Sequence, residues 1–386
     1  MEDILSMKGQ FEAEFGTKPR CFSAPGRINL IGEHTDYNEG FVLPVGIDLA
    51  CLLAIAPSTD GRFSIIANDL NERISFDDLG TIINLPHWAK YILGVIQACE
   101  NRGVKVKPFQ AIIQSAIPIG AGLSSSAALE SVFAYAFNLL FEAGLSKMQL
   151  TEIAKEAENK YVGVQCGIMD MFASIHAQKD QAMLLDCRSL VHEQIPLNMG
   201  NHKIVLFDTQ IKHDLATSEY NNRRTSCEAA VAALNQLGMG VSSLREVPTI
   251  QLYQYETKLE PLLYKRAKHV VEENQRVMDF VAAMSNKNWE SAGELMYASH
   301  RGLKDDYEVS CAELDFLVNV TIDIKGVSGS RMMGGGFGGC TINLVKSHVV
   351  DEVIEQVSTA YQNTYGVTPK VYIANTSDGA HELTSS

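Results

Sequence analysis

One segment of the sequence changes abruptly from apolar to polar residues. Residues 24–38 begin as a strand-like run that includes Ile28 and Leu30, and this run stops at Gly32. The next residues offer many hydrogen-bond acceptors and few cations: Glu33, His34, Thr35, Asp36 and Tyr37. Such a set suits a neutral polyhydroxyl compound, because its O–H donors need carboxylate partners. The alternative is a metal site, since two carboxylates and an imidazole could ligate a cation.

A glycine- and serine-rich turn, PIGAGLSSSAA, precedes a strongly predicted helix. Gly120 and Gly122 allow the backbone to approach a ligand closely. Ser124, Ser125 and Ser126 follow where the helix starts, and the free N–H groups and positive dipole of a helix N-terminus suit phosphate. The serines could equally do no more than cap the helix. The turn is not a Walker A loop, because it lacks the GK[ST] sequence.

A second glycine-rich stretch, Gly329–Cys340, has five glycines within the six positions from Gly334 to Gly339. Such a loop has conformational freedom and little side-chain bulk, so it can lie against a ligand. A flexible loop or a bulged hairpin is the alternative interpretation. A strand is predicted directly after it.

Two carboxylates are notable for their position. Asp170 lies in an apolar run between Met169 and Met171, where a carboxylate is costly unless it is paired. A helix cap or a buried salt bridge could also explain it. Glu158, twelve residues earlier on a predicted helix, indicates by itself no more than a surface charge.

Around these stretches the apolar patterning predicts interleaved helices and strands. The predicted helices include residues 4–15, 88–102, 127–144, 151–161, 218–237 and 250–284. The predicted strands include residues 48–56, 62–67, 109–117, 182–186, 203–208 and 370–374. No βαβ repeat is visible, which favours an α+β fold over a doubly wound sheet. No linker marks a boundary, and we place one near residue 195, between domains 1–195 and 196–386.

The composition is that of an ordinary globular protein. A length of 386 residues is enough for two domains. The 32 Lys and Arg residues against 46 Asp and Glu residues give a formal charge of −14, which disfavours general binding to nucleic acid or to anionic membrane. No apolar run is long enough to span a membrane. Eight cysteines spread without a CxxC pair indicate reduced thiols and a cytoplasmic location. No obligate protein partner is evident.

Together the stretches resemble the three motifs of the GHMP small-molecule kinases, which match Gly26–Asn38, Pro118–Ala128 and Gly329–Cys340 in that order. Within this superfamily, GRINLIGEHTDYN is similar to the signature of the galactokinases. The resemblance implies a two-domain α+β fold of the GHMP kinase type, with the active site in the cleft between the domains. It also implies transfer of the γ-phosphoryl group of ATP, with Mg²⁺, to the anomeric hydroxyl of galactose.

The resemblance further implies roles for individual residues. Asp170 matches the catalytic base, and Arg27 matches the arginine that pairs with it and keeps it ionised. Ser126 and Glu158 match the magnesium positions. The substrate positions match Glu33, His34, Thr35, Asp36, Gly167, Asp170 and Tyr220. The positions that bind ATP match Gly120, Ala121, Gly122, Leu123, Ser124, Ser125 and Ser126.

Three other functions remain open at this point. A related GHMP kinase could act on another sugar, such as N-acetylgalactosamine, since the sequence does not show the room beside C2. A galactokinase-like sensor without catalysis would carry a damaged phosphate loop, whereas SSSAA is intact here. A metal-dependent hydrolase would use Glu33, His34 and Asp36. One departure from the galactokinase pattern is Met171, where many members have a glutamine after the base.

Overall fold

A computed structural model describes residues 2–77, 85–211 and 216–384 of the chain. Runs of strands and runs of helices follow one another along these residues, and the strand pairs are mainly antiparallel, which confirms the predicted α+β class. The strands are β1 (Arg20–Asn29), β2 (Phe41–Val42), β3 (Pro44–Pro57), β4 (Phe63–Ala67), β5 (Glu72–Phe76), β6 (Phe109–Ser115), β7 (Gln181–Asp186), β8 (His192–Pro196), β9 (His202–Asp208), β10 (Val327–Met332), β11 (Cys340–Lys346), β12 (Lys370–Ala374) and β13 (His381–Glu382). The helices are α1 (Glu2–Phe15), α2 (His87–Glu100), α3 (Ser125–Leu140), α4 (Lys147–Glu156), α5 (Met169–His176), α6 (Ala216–Gln236), α7 (Thr249–Tyr253), α8 (Pro261–Ser285), α9 (Trp289–Arg301), α10 (Ala312–Ile322) and α11 (Val350–Tyr365).

A six-stranded sheet in the first half of the chain has the order β13–β1–β3–β6–β4–β5. Its neighbouring strands are antiparallel except for β4 and β6, which run parallel. Helices α2 and α3 pack together, α3 lies against the sheet, and both share an apolar core with it. Because β13 lies beside β1, with Glu382 opposite Phe22, the end of the chain returns to the first sheet.

A four-stranded antiparallel sheet, β10–β11–β9–β12, lies in the second half. Apolar residues of α10 and α11, among them Leu317 and Val353, share a core with this sheet, to which Phe207 of β9 contributes. Helices α6 and α8 contribute to a separate apolar core that includes Tyr307. The boundary placed near residue 195 falls at the end of β8, and the division into domains 1–195 and 196–386 stays a prediction.

The predicted helices differ from the observed ones for local reasons. The helix expected from Thr151 begins earlier, because Ser146 and Gln149 form a capping box at its start. The segment expected as helix over 250–284 is divided into α7 and α8, because Pro261 begins α8 and the Glu260 side chain accepts hydrogen bonds from its first turn. Within the three described ranges, no helix combines the length and the apolar character needed to cross a bilayer.

Several element ends meet between the two halves of the chain. Helix α3 begins at Ser125 and α5 at Met169, and the residues around both starts contact Arg27 of β1. The turn between β10 and β11 reaches the same place, where the backbone N–H of Gly334 donates to the carboxylate of Glu33. The fold therefore gathers all four stretches noted in the sequence at one point.

Candidate active site

Asp170 lies in the first turn of α5, where the helix dipole favours a negative charge. Its carboxylate is paired with the guanidinium of Arg27: Nε lies 2.8 Å from Oδ1, and Nη2 lies 3.0 Å from Oδ2. The hydroxyl of Ser124 donates to Oδ2 over 2.5 Å. The side chain of Arg27 is 5% exposed and that of Asp170 is 29% exposed. The cation is thus buried in the protein, while the carboxylate keeps access to a ligand.

Arg27 holds the glycine- and serine-rich turn as well as Asp170. Strand β1 has a bulge just before Arg27, and a bulge re-aims the side chain that follows it. Gly26 lies in this bulge, and a Cβ there would come within 2.7 Å of the carbonyl oxygen of Leu123. The Arg27 backbone N–H donates to that same oxygen, and its Nη1 donates to the carbonyl of Gly122 over 2.6 Å.

The glycine- and serine-rich turn has three residues in the left-handed region of backbone conformation. Gly120 has φ +81°, Gly122 has φ +75° and Ser124 has φ +60°. Gly122 also lies against the second glycine-rich stretch, since a Cβ there would be 3.1 Å from the carbonyl oxygen of Met333. The two stretches therefore touch through their backbones, and Ser124 adopts a conformation that is unusual for a residue with a side chain.

The other residues of this turn differ in what they can offer a ligand. The side chains of Ala121 and Leu123 are buried, so these residues can contact phosphate only through the backbone. Ser125 and Ser126 form the first turn of α3, whose N–H groups have no partner within the helix. A helix start of this kind is suited to binding an anion, and phosphate binding here stays a prediction.

Glu33 joins the two halves of the chain. Its Oε1 accepts hydrogen bonds from the backbone N–H of Gly334, over 2.9 Å, and from Nη2 of Arg331, over 3.2 Å. Arg331 is fully buried and also donates to the carbonyl groups of Leu30 and Met332. Because Oε1 is taken up in this way, Oε2 is the oxygen left for a ligand.

His34 belongs to a chain of buried polar groups. Its Nδ1 lies 2.7 Å from the hydroxyl of Tyr37, which in turn lies 2.7 Å from the hydroxyl of Tyr307. Burial lowers the pKa of His34 to about 3, and the neighbouring His269 acts in the same direction, so the imidazole is neutral. The ring of Tyr220 packs beside it, with the ring centroids 5.3 Å apart.

Asp36 is held close to Asp170 in spite of its charge. Burial raises the pKa of Asp36 to about 6, and the negative charge of Asp170 adds to this. Gly167 makes the position possible, because a Cβ at Gly167 would overlap the Asp36 carboxylate. The neighbouring Thr35 is fully buried, and its hydroxyl donates to carbonyl oxygens of the surrounding turn.

These side chains surround a cavity of about 140 Å³, which we call the polar cavity. It is lined by Arg27, Glu33, His34, Asp36, Ser126, Glu158, Val164, Cys166, Met169, Asp170, Met171, Tyr220, Gly334 and Gly335. Half of the site residues inferred from the sequence line this cavity: Arg27, Glu33, His34, Asp36, Ser126, Glu158, Asp170 and Tyr220. Thr35, Gly167 and the turn residues Gly120 to Ser125 lie outside this lining. Val164 and Cys166 had no recognisable signal in the sequence.

Glu158 is buried, which a surface charge would not be. It lies in a π-helical segment, Ala157–Val162, directly after α4, and such wide turns are frequent at functional sites. Among the described residues, neither carboxylate oxygen of the adjacent Glu130 nor Oε2 of Glu158 has a hydrogen-bond partner. Burial raises the pKa of Glu158 to about 7, and burial followed by the charge of Glu158 raises the pKa of Glu130 well above its usual range.

This arrangement fits Mg²⁺. The ion is usually bound through one or two carboxylates together with substrate phosphates, and Ser126 and Glu158 lie side by side in the polar cavity. Buried carboxylate oxygens without a protein partner are costly until a cation arrives. The part of the chain that the structure describes contains no group of three or more His, Cys, Asp or Glu that could hold a metal unaided. Glu33, His34 and Asp36 therefore do not form the alternative metal site.

A second cavity, of about 380 Å³, adjoins the polar cavity at Ser126, and we call it the apolar cavity. It is lined by Cys51, Ala67, Asp69, Leu70, Glu72, Pro86, His87, Trp88, Tyr91, Ile113, Ser115, Ile119, Ser125, Ser126 and Leu129. Trp88 and Tyr91 come from α2, and Leu129 comes from α3. No signal in the sequence marks these three residues, because apolar side chains on a predicted helix cannot be distinguished from the core.

Family models match three parts of the chain. The model described as the galactokinase galactose-binding signature matches residues 9–57. The models of the N-terminal domain and of the C-terminal domain of GHMP kinases match residues 90–178 and 280–363. These matches cover the polar segment around Glu33, the turn before α3 together with Asp170, and the second glycine-rich stretch.

Similar proteins match over nearly the whole chain. A galactokinase from Thermotoga neapolitana is 43% identical over 93% of this chain and 99% of its own length. A galactokinase from Roseiflexus is 41% identical over 98% of this chain and 97% of its own. Among solved structures, Lactococcus lactis galactokinase complexed with galactose superposes with a TM-score of 0.94 at 33% identity, covering 99% of this chain and all of that one. Methanococcus jannaschii mevalonate kinase shares the fold, with a TM-score of 0.65 at 19% identity over 94% of this chain and 99% of that one.

Proposed function

Because the chain belongs to the galactokinase family of GHMP kinases, we propose that it transfers the γ-phosphoryl group of ATP to the anomeric hydroxyl of D-galactose, giving galactose 1-phosphate and ADP. The observation that carries this proposal is the pairing of Asp170 with Arg27 in a polar cavity that adjoins an apolar cavity at Ser126. The polar cavity suits a sugar, and the apolar cavity suits the nucleobase of ATP. The phosphates of ATP would then lie between the two cavities, at the start of α3.

Asp170 is the proposed general base. A carboxylate within reach of a sugar hydroxyl can accept its proton as the oxygen attacks phosphorus. Arg27 donates two hydrogen bonds to the carboxylate, and a charge-assisted pair of this geometry fixes its orientation. The nucleophile is thereby positioned as well as activated, which is most of what phosphoryl transfer requires.

The phosphates are proposed to bind at the backbone of Gly120–Ser126. Positive φ values at Gly120 and Gly122 bring the chain close to a ligand, and the first N–H groups of α3 add donors. Ser126 and Glu158 are the residues proposed to hold Mg²⁺. When bound, the ion neutralises negative charge on the phosphates.

Sugar recognition is assigned to Glu33, His34, Asp36 and Tyr220. Oε2 of Glu33 and the carboxylate of Asp36 supply acceptors for hydroxyl groups, and Tyr220 adds an aromatic wall. A buried acceptor that loses its hydroxyl partner costs about 1–3 kcal/mol. Galactose and glucose differ only at C4, so one acceptor left unpaired by glucose would lower kcat/KM for glucose relative to galactose. Thr35 and Gly167 are proposed to support the site without touching the sugar.

A coupled assay of ADP release tests the proposal. The substrates to compare are galactose, glucose, N-acetylgalactosamine, mevalonate and homoserine, each at several concentrations with saturating MgATP. We expect kcat/KM for galactose to exceed that for glucose by at least about tenfold, from one unpaired polar group. A reaction without sugar serves as the control for ATP hydrolysis.

Other outcomes of this assay would indicate other functions. Comparable kcat/KM for galactose and glucose would contradict the assignment of the acceptors in the polar cavity. Preference for N-acetylgalactosamine would indicate a related kinase with room beside C2. Galactose binding without turnover would indicate a sensor.

We also propose that the protein works in the cytoplasm. All eight cysteines are unpaired thiols in the structure, and several of them are buried. Reduced thiols are the normal state in a reducing compartment.

A further inference from the structure

Ser124 combines an unusual backbone conformation with an unusual side-chain contact. Its φ and ψ are +60° and +48°, a left-handed conformation that costs residues other than glycine about 1–2 kcal/mol. It precedes α3 directly, yet its side chain makes no capping hydrogen bond to that helix. The hydroxyl donates instead to Oδ2 of Asp170, over 2.5 Å. Strain of this kind is tolerated where the surrounding structure requires it, and it concentrates at functional sites.

The hydrogen bonds of Asp170 are distributed unequally between its two oxygens. An ionised carboxylate has about four acceptor positions, two on each oxygen. Oδ2 accepts from Nη2 of Arg27 and from Ser124, so both of its positions are filled. Among the described residues, Oδ1 accepts only from Nε of Arg27. One position on Oδ1 therefore remains for a ligand.

We propose that Ser124 is a positioning residue that occupies Oδ2 of Asp170 and thereby makes Oδ1 the atom that accepts the proton. The inference rests on the proposed role of Asp170 as the base. In the step, the bond between the anomeric oxygen and the γ-phosphorus forms as the bond from that phosphorus to the bridging oxygen of ADP breaks. The proton of the anomeric hydroxyl goes to Oδ1, and ADP leaves with the electron pair of the broken bond.

The sequence offers a different role for Ser124, as one of the residues that bind ATP. Its hydroxyl could in that case turn from Asp170 to a phosphate oxygen when the nucleotide binds. The two roles predict different kinetics. A positioning residue affects kcat, because it acts on the reacting carboxylate, whereas a phosphate ligand affects the KM for ATP.

Three substitutions at this position distinguish the effect of the hydroxyl from the effect of the backbone conformation. Ser124→Ala removes the hydroxyl and keeps the constraint on φ. Ser124→Gly removes the hydroxyl and also relieves the constraint, since glycine adopts positive φ freely. Ser124→Thr keeps the hydroxyl but adds a β-branched side chain, which adopts this conformation poorly.

We expect kcat and the melting temperature to rank these variants in different orders. In the Ala and Gly variants kcat should fall about tenfold or more, the effect of losing a hydrogen bond to a charged group. The KM for ATP should stay within about twofold of wild type, and so should the galactose Kd measured by calorimetry without nucleotide. The Thr variant should have a higher kcat than the Ala variant but a lower melting temperature. The Gly variant should melt at or above the temperature of the Ala variant.

Other results would overturn the inference. If Ser124→Ala raised the KM for ATP and left kcat unchanged, the hydroxyl would be a phosphate ligand. If kcat simply followed melting temperature through the series, the role would be structural. Should the Thr variant fail to fold, the Ala and Gly variants still decide between these outcomes. Asp170→Asn separates the two proposals: retained kcat there would contradict the base itself, whereas lost kcat there with normal kcat in Ser124→Ala would contradict only the role of Ser124.

Discussion

The polar cavity and the apolar cavity share Ser126 but differ in their lining: charged side chains are concentrated in the first, and the surface of the second is mostly apolar. In the polar cavity the protein holds charges where they are costly: Arg27 is buried, and burial raises the pKa of both Asp36 and Glu158. In the apolar cavity, side chains such as Trp88 line an opening that needs only shape and apolar surface. The first cavity therefore concentrates unfavourable interactions that a ligand can relieve.

This difference predicts opposite effects of substitution. In the polar cavity, a neutral side chain of the same shape in place of Asp36 or Glu158 should damage the reaction while leaving the fold as stable as before or more so. In the apolar cavity, truncation should weaken nucleotide binding and leave the chemistry intact.

Asp170→Asn should reduce kcat by at least about a hundredfold, since general-base catalysis contributes about 10²–10⁴-fold. Asparagine keeps the shape and most of the hydrogen bonding but cannot accept the proton at neutral pH. Steady-state kinetics with saturating galactose and MgATP measure the effect.

The same variant should remain folded and bind ATP normally. Thermal melts and nucleotide titration provide the control. A folded Asp170→Asn enzyme with nearly unchanged kcat would contradict the assignment of the base, and the polar cavity would then act through electrostatics alone.

Glu158→Gln should raise the concentration of Mg²⁺ needed for half-maximal activity and lower kcat by roughly tenfold, because a charge-assisted contact is worth about 1.5–3 kcal/mol. Galactose affinity without nucleotide should be nearly unchanged. Activity over a range of Mg²⁺ concentrations, together with calorimetry for galactose, measures the two effects separately.

Glu152→Gln is the matched control for this substitution. Glu152 lies on α4, close to Glu158 in sequence, but its side chain is 47% exposed. We expect its Mg²⁺ requirement to equal that of wild type. Loss of galactose affinity in Glu158→Gln with an unchanged Mg²⁺ requirement would rule out the proposed role.

The same contrast decides how much of the site could be predicted from the sequence. Glu33, His34, Asp36 and Asp170 were recognisable because each is a polar residue beside an apolar run. The polar cavity follows from that signal and from the resemblance to the galactokinases. Trp88 carries no comparable signal, because its partial exposure depends on how α2 packs and not on its neighbours in sequence.

The fold shows a similar limit. Long strands such as β3 were predictable from their apolar residues, whereas β2 and β13 have two residues each, too few to show a pattern. The pairing of β13 with β1 joins the two ends of the chain, and no local rule predicts it. Arg331 was missed for the same reason, since its partner Glu33 is about three hundred residues away in sequence.

Trp88→Ala should raise the KM for ATP about tenfold, since stacking of a base on an aromatic side chain is worth about 1–3 kcal/mol. The galactose Kd and the kcat at saturating ATP should stay within about twofold of wild type. Trp88→Phe, which keeps an aromatic ring, is the control and should lose less affinity. A fall in kcat with unchanged KM for ATP would show that the apolar cavity does not hold the nucleobase.

Asp36→Asn should make the ligand-free protein more stable at neutral pH, although it should weaken galactose binding. Burial raises the pKa of Asp36 from its usual 3.8 to about 6, so the folded state binds more protons than the unfolded state between these values. Stability therefore falls as pH rises through this window, and above it the ionised carboxylate destabilises the fold. Asparagine avoids that cost and can still accept the hydrogen bond from the backbone N–H of Tyr37.

The expected gain from Asp36→Asn is about 1 kcal/mol at pH 7–8, or a few degrees in melting temperature, because partial exposure reduces the full effect of the shift. The gain should shrink towards pH 5 and vanish only below about pH 3, where Asp36 is protonated in both states. Melts of the ligand-free protein between pH 5 and 8 measure it, and saturating galactose should reverse the order by stabilising wild type more. Asp279→Asn, on the exposed face of α8, is the matched control and should show no pH-dependent gain. If Asp36→Asn melted below wild type at pH 8, the ionised Asp36 would stabilise the fold, and the polar cavity would not hold this charge at a cost in stability.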